Sequence, residues 1–119
     1  LDGILDFTHP AESGKDTSKN HPSVGKLWLG ETYEENPALW IEASPLTYIS
    51  KDSPPFLFIN SSNERFHAGR EEAINIFTKF NIPFEVQTLE ETPHTFWLFH
   101  PWFIPTVNHI TDFLKKVFK

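Results

Sequence analysis

The apolar positions of this chain fall into short runs, each closed by a breaker. "GILDF" at residues 3 to 7 is short and apolar and is stopped by "THP", as a strand entering a loop would be. Residues 9 to 26 are rich in Ser, Lys, Asn, Pro and Gly and read as an excursion over the surface. "ENPALWIEAS" predicts a short helix, with Asn36 as N-cap and Pro37 at the first helical position, ended by Ser44-Pro45. "PPFLFIN" (54 to 60) is continuously apolar, the mark of a strand covered on both faces. "HAGREEAINIFTKFN" spaces Ala73, Ile76 or Phe77, and Phe80 as a helix does, and "IPFEVQTLEE" follows as a second strand. An aromatic stretch, "TPHTFWLFHPWF", leads into a closing helix that places Phe103, Val107, Ile110, Phe113, Leu114 and Val117 on one face.

Strand, helix, strand, helix is the order of an α/β fold with parallel strands and right-handed helical crossovers. Two or three parallel strands make a poor domain by themselves, because both faces need cover and the edges keep unpaired backbone groups. Residues 1–119 are therefore expected to form the C-terminal segment of one larger α/β domain. An isolated segment of that kind is expected to self-associate.

Composition narrows the functions. Hydrophobic residues make up 39% and aromatic residues 15%, which excludes a mainly disordered chain. A net charge of −6 disfavours a nucleic-acid partner, whose phosphates call for clustered Lys and Arg. No run is long and apolar enough to span a membrane, and no signal peptide opens the chain. Cysteine is absent, which excludes disulfides and thiolate metal sites and leaves the redox compartment open. Methionine is absent too, so the chain reads as a processed product or a piece of a longer one, and a signal for export to the periplasm or beyond would lie outside it. No pair of histidines has helical zinc-site spacing, so neither a metal nor a cofactor is expected.

In a parallel pair joined by a crossover helix, the carboxyl ends lie side by side, and ligands bind at that edge. The loop after the first strand carries Glu64 and the loop after the second carries His94. A carboxylate that accepts the Nδ1 proton of histidine fixes its tautomer and stabilises the imidazolium formed when Nε2 takes a proton. This is two-thirds of a nucleophilic triad. The third member is a serine on a strained G-x-S-x-G turn, and none of the five glycines frames a serine that way. In the triad order Ser, acid, His, the nucleophile would lie upstream of these residues.

"EASPLTYISKDSPPFLFIN", its acid-bearing loop, the helix, the strand and "TPHTFW" together resemble the C-terminal portion of an α/β-hydrolase. The similarity is to the esterase and lipase-like branch that includes carbohydrate acetylesterases of the acetyl-xylan type, and "GILDFTHP" is similar to the strand after its nucleophile elbow. The resemblance implies a serine carboxylesterase acting through an acyl-enzyme on a carbohydrate or small ester. It matches His94 to the catalytic histidine and Glu64 to the acid. Where the family commonly has His-Gly before the loop and Asp as the acid, this chain has Asn60-Ser61 and Glu64, and Thr95 replaces the usual glycine after the histidine. The acid thus stays open by a residue. A peptidase or lipase of the same fold, or a non-catalytic module that keeps the fold, are the alternatives.

The remaining candidates are weaker. Glu90 and Glu91 are rivals for the acid and could pair with Arg65; Asp52 precedes its strand and Asp112 lies within the last helix, both away from that edge. Trp97, three residues after His94, is the aromatic residue expected to touch substrate, with Arg65 and His67 beside the acid loop as further binding candidates. His67 is also placed to begin the crossover helix, and His100 to cap or pack the last one.

Overall fold

The computed structural model describes residues 1–14 and 22–119. Its centre is the expected crossover. Strand β1 (Phe56–Asn60) runs parallel to β2 (Phe84–Thr88), with Phe56 opposite Phe84 and Asn60 opposite Thr88. A further bond from Leu89 N to Asn60 O (2.9 Å) carries the pairing one residue into the following loop.

Five α-helices complete the described residues: α1 (Pro10–Ser13), α2 (Val24–Leu29), α3 (Pro37–Ala43), α4 (Arg70–Lys79) and α5 (Phe103–Val117). Helix α3 starts where its sequence says, with the Asn36 side chain accepting from Leu39 N and Pro37 in the first turn. The crossover helix α4 turns Ala73 and Phe77 inward against Leu5, Phe58 and Ile82. Phe56, Phe58 and Phe84 stand with their ring centroids 5.4 to 6.2 Å from that of Phe77. Residues alternate faces along a strand, so Leu57 and Ile59 point the other way, and α5 packs against β1 as well. Cover on both faces is why the run reads as continuously apolar. A second knot forms around Trp40, wholly buried, whose Nε1 donates to Glu31 O (3.0 Å).

Three expectations need correction. Residues 3 to 7 are not a strand. One bond, Asp2 N to Ile59 O (2.7 Å), reaches β1, after which the chain leaves the sheet and gives Leu5 N and Asp6 N to Ala68 O instead. The expected surface excursion at 9–26 holds α1 and the first turn of α2, on either side of residues 15–21, which lie outside the described residues. Local caps explain both helices: His9 Nδ1 accepts from Ala11 N, and Ser23 accepts from Lys26 N. On α5 the inward residues are Thr106 and Phe113, whereas Phe103, Val107 and Leu114 are at least 40% exposed. The apolar arc of α5 is wider than a two-stranded sheet can cover.

Gly69 ties the N-terminal segment to the crossover. It caps α4 at φ +83°, and a Cβ there would lie 2.8 Å from Asp6 N. Replacing it with alanine is expected to cost at least the 1–3 kcal/mol of a left-handed non-glycine residue. Urea unfolding of Gly69→Ala checks this, and a midpoint equal to the parent chain's would contradict it.

The radius of gyration is 15.9 Å, against about 13.5 Å for a compact chain of this length. The molecule is a slab, 18 Å in its thinnest dimension, and exposes Ile104 and Leu114 on α5, Phe118 just after it, and Leu27 and Trp28 on α2. No described helix is long and apolar enough to cross a membrane. Such apolar surface on a slab invites association. Light scattering of the isolated chain is expected to show a mass that grows with concentration, and a constant monomer mass would contradict it.

Candidate active site

The carboxyl ends of β1 and β2 open into two loops that bind each other. In the first, Ser61 Oγ accepts from Asn63 N (3.1 Å) and Asn63 Oδ1 from Arg65 N (3.2 Å), winding the chain into a 3-10 turn over Glu64–His67. His67 Nε2 closes the turn on Ser61 O at 3.0 Å. In the second loop, the buried Thr92 hydroxyl donates to Leu89 O (2.8 Å) and accepts from Ser62 N (3.3 Å). That bridge holds His94 beside the first loop.

The residue that meets His94 is Asp2. Its Oδ2 lies 2.7 Å from His94 Nδ1, while Oδ1 accepts from Ser61 N (2.9 Å) and Ser61 Oγ (3.0 Å). The Asp2 side chain is fully buried and the His94 side chain is 43% exposed. A carboxylate can only accept, so Nδ1 carries the shared proton and Nε2 of the neutral ring is a bare acceptor. Among the described residues nothing hydrogen-bonds to Nε2. Phe66 lies flat against the imidazole, with centroids 3.7 Å apart and planes 10° apart, and Trp97 meets it edge-on at 5.6 Å. The ring is held on one nitrogen and both aromatic contacts, and the other nitrogen is open.

His94 borders a cleft of about 420 Å³ walled by Ile4, Phe7, Val24, Trp28 and Phe66. At its polar end Arg65 and Glu12 pair twice, Nε to Oε1 at 2.6 Å and Nη2 to Oε2 at 3.1 Å. The hydrogen bonds that Arg65 donates to the Glu12 carboxylate hold its guanidinium above even its ordinary pKa, so it is a fixed cation in the wall.

The sequence-predicted residues separate on this map. His94 and Arg65 share the cleft, and Trp97 touches His94 without lining it. Glu64 is exposed and, with His67, borders a second concavity that also holds His9 and Arg70. The partner foreseen for Arg65, Glu90 or Glu91, is replaced by Glu12, since both glutamates are exposed at the end of β2. His100 caps nothing: the α5 N-terminus has no side-chain cap, and the ring stands edge-on to Phe103 at 6.1 Å. Asp52 and Asp112 pair locally with Lys51 and Lys115. Asp2, Phe66 and Glu12 went unforeseen. Asp2 is 92 residues from His94 and sits on irregular backbone at φ +46°, where no periodicity marks it.

A family model, BD-FAE, matches residues 1–67, more than half of the chain. The chain belongs to the BD-FAE family. BD-FAE is a domain of the α/β-hydrolase esterase type, and the mixed parallel-sheet fold with its C-terminal helix fits that class. The matched stretch of this BD-FAE chain contains Asp2, Glu12, Arg65 and Phe66, and His94 lies beyond it. No curated protein matches the chain, and no solved structure does.

Asp2→Ala removes the acceptor of the buried Ser61 N–H, and an orphaned buried donor costs about 1–3 kcal/mol. Urea unfolding is expected to show a lower midpoint at unchanged slope; an unchanged midpoint would mean that the Asp2 carboxylate does not hold this loop.

Proposed function

We propose that the parent of this BD-FAE chain is a serine carboxylesterase that deacylates a carbohydrate or small ester, with His94 as its general base and acid. One observation carries the reading: a buried carboxylate grips Nδ1 of His94 at 2.7 Å while the half-exposed ring borders a cleft. In acyl transfer, Nε2 takes the proton of a serine hydroxyl as the oxygen attacks the ester carbonyl. The same nitrogen returns that proton to the departing alcohol, leaving an acyl-serine. Water then repeats the sequence, its proton passing to Nε2 and back to the serine as the acid is released. The serine and its oxyanion hole are assigned to a segment of the parent outside these 119 residues. The carbohydrate acetylesterase branch rests on the resemblance carried by residues 42–60 and "TPHTFW".

The acid is assigned to Asp2 on contact geometry, ahead of Glu64, which the resemblance favours. Arg65 at the polar end of the cleft is positioned to meet an oxygen of the substrate; Trp97 and His67 are more remote contacts.

Turnover of an aryl acetate by the parent protein separates the assignments. His94→Ala is expected to lose about four to six orders of magnitude, roughly 5–8 kcal/mol of transition-state stabilisation. Asp2→Asn is expected to lose about four orders, because it favours the wrong tautomer. Glu64→Gln and His100→Ala are expected to stay within about tenfold of the parent, ~1.4 kcal/mol. A large loss at Glu64 with none at Asp2 would reverse the acid assignment. Full activity in His94→Ala would end the esterase reading.

A further inference from the structure

We infer that Phe66 is a positioning residue for His94, one that fixes the plane of the imidazole in which Nε2 works. This rests on the esterase reading above for its functional consequence, and on geometry alone for the contact. The Asp2 bond restrains one ring atom, Nδ1, and a ring held at one atom can still tilt about that point. Phe66 removes the tilt. Its ring lies parallel to the imidazole within 10° at a centroid separation of 3.7 Å, closer than any other aromatic pair among the described residues. Trp97, edge-on at 88°, closes a different side.

The position of Phe66 is itself held. It sits in the 3-10 turn Glu64–His67, its backbone N donating to Asn63 O (3.1 Å). Arg65, next to it, places its guanidinium carbon 5.2 Å from the Phe66 centroid while both its pairing nitrogens are held by Glu12. The groups facing the imidazole are then Asp2 from the N-terminal segment, Phe66 from the acid loop and Trp97 from its own loop, with the Arg65–Glu12 ion pair next to Phe66. Each constrains a different direction. Proton transfer needs Nε2 aimed at the hydroxyl within hydrogen-bond reach, and errors near 1 Å are enough to slow a reaction by about 100-fold.

A spectroscopic signature tests the contact without any catalysis. Protons over the face of a benzene ring resonate upfield, so the His94 ring protons should lie upfield of those of His109, which has no ring contact among the described residues. In two-dimensional NMR of this chain, Phe66→Leu should move the His94 signals downfield and Phe66→Tyr should leave them in place. His94 signals indifferent to Phe66→Leu would overturn the inference. In the parent protein, Phe66→Leu should lower kcat by roughly 10- to 100-fold with little change in KM, as expected for loss of aim rather than of substrate binding. Phe66→Tyr should restore kcat. An unchanged kcat in Phe66→Leu, with the NMR shift present, would make Phe66 a neighbour and not a positioning residue. A parent with no ester hydrolysis at all would refute the esterase reading, and the NMR result would then decide the Phe66–His94 contact separately.

Discussion

The carboxylate of Asp2 is where three stretches of chain meet. One oxygen takes both donors of Ser61, at the end of β1, and the other takes Nδ1 of His94, in the loop after β2. A buried carboxylate is costly unless its lone pairs are occupied, and here three donors occupy them. The constraint runs in both directions. The loops can close only if the N-terminal segment delivers Asp2, and that segment stays in place through Asp2 N on Ile59 O and the paired bonds to Ala68 O. Gly69 is part of the same arrangement, since a side chain there would displace Asp6.

From this point the site follows as ordinary chemistry. Ser61 gives Asp2 a hydroxyl donor in addition to its backbone N–H. The orientation of His94 is then set by an anion on one nitrogen and by Phe66 across its face. An imidazole so held, beside an apolar cleft with a fixed cation in its wall, is suited to moving one proton between two oxygens. Asp2 lies within the stretch that the family model matches, and His94 lies beyond it.

The crossover was legible in the sequence because its signals are local. A continuous apolar run, a helical spacing from Ala73 to Phe80 and a second short run marked β1, α4 and β2, although Phe80 itself ends up exposed, and parallel pairing brought the loops of Glu64 and His94 to one edge. Asn36 and Pro37 announced α3 for the same reason. Illegible features depend on contacts distant in sequence. Residues 3–7 look like a strand, yet the close approach of Gly69 and Ala68 draws them off the sheet. The inward face of α5 is chosen by how much sheet there is to cover, which its own periodicity cannot tell. Asp2 as the neighbour of His94 was hidden because a reading of strand ends does not find a carboxylate that enters from the side.

The central claim is that Asp2 accepts the Nδ1 proton of His94. The tautomer of that ring tests it most directly, by long-range proton–nitrogen correlation at a pH where His94 is neutral. The account predicts that Nδ1 carries the proton and shows a pyrrole-type nitrogen shift, that Nε2 shows the pyridine-type shift, and that Asp2→Asn abolishes this preference. A proton resident on Nε2 in the unmodified chain would contradict it.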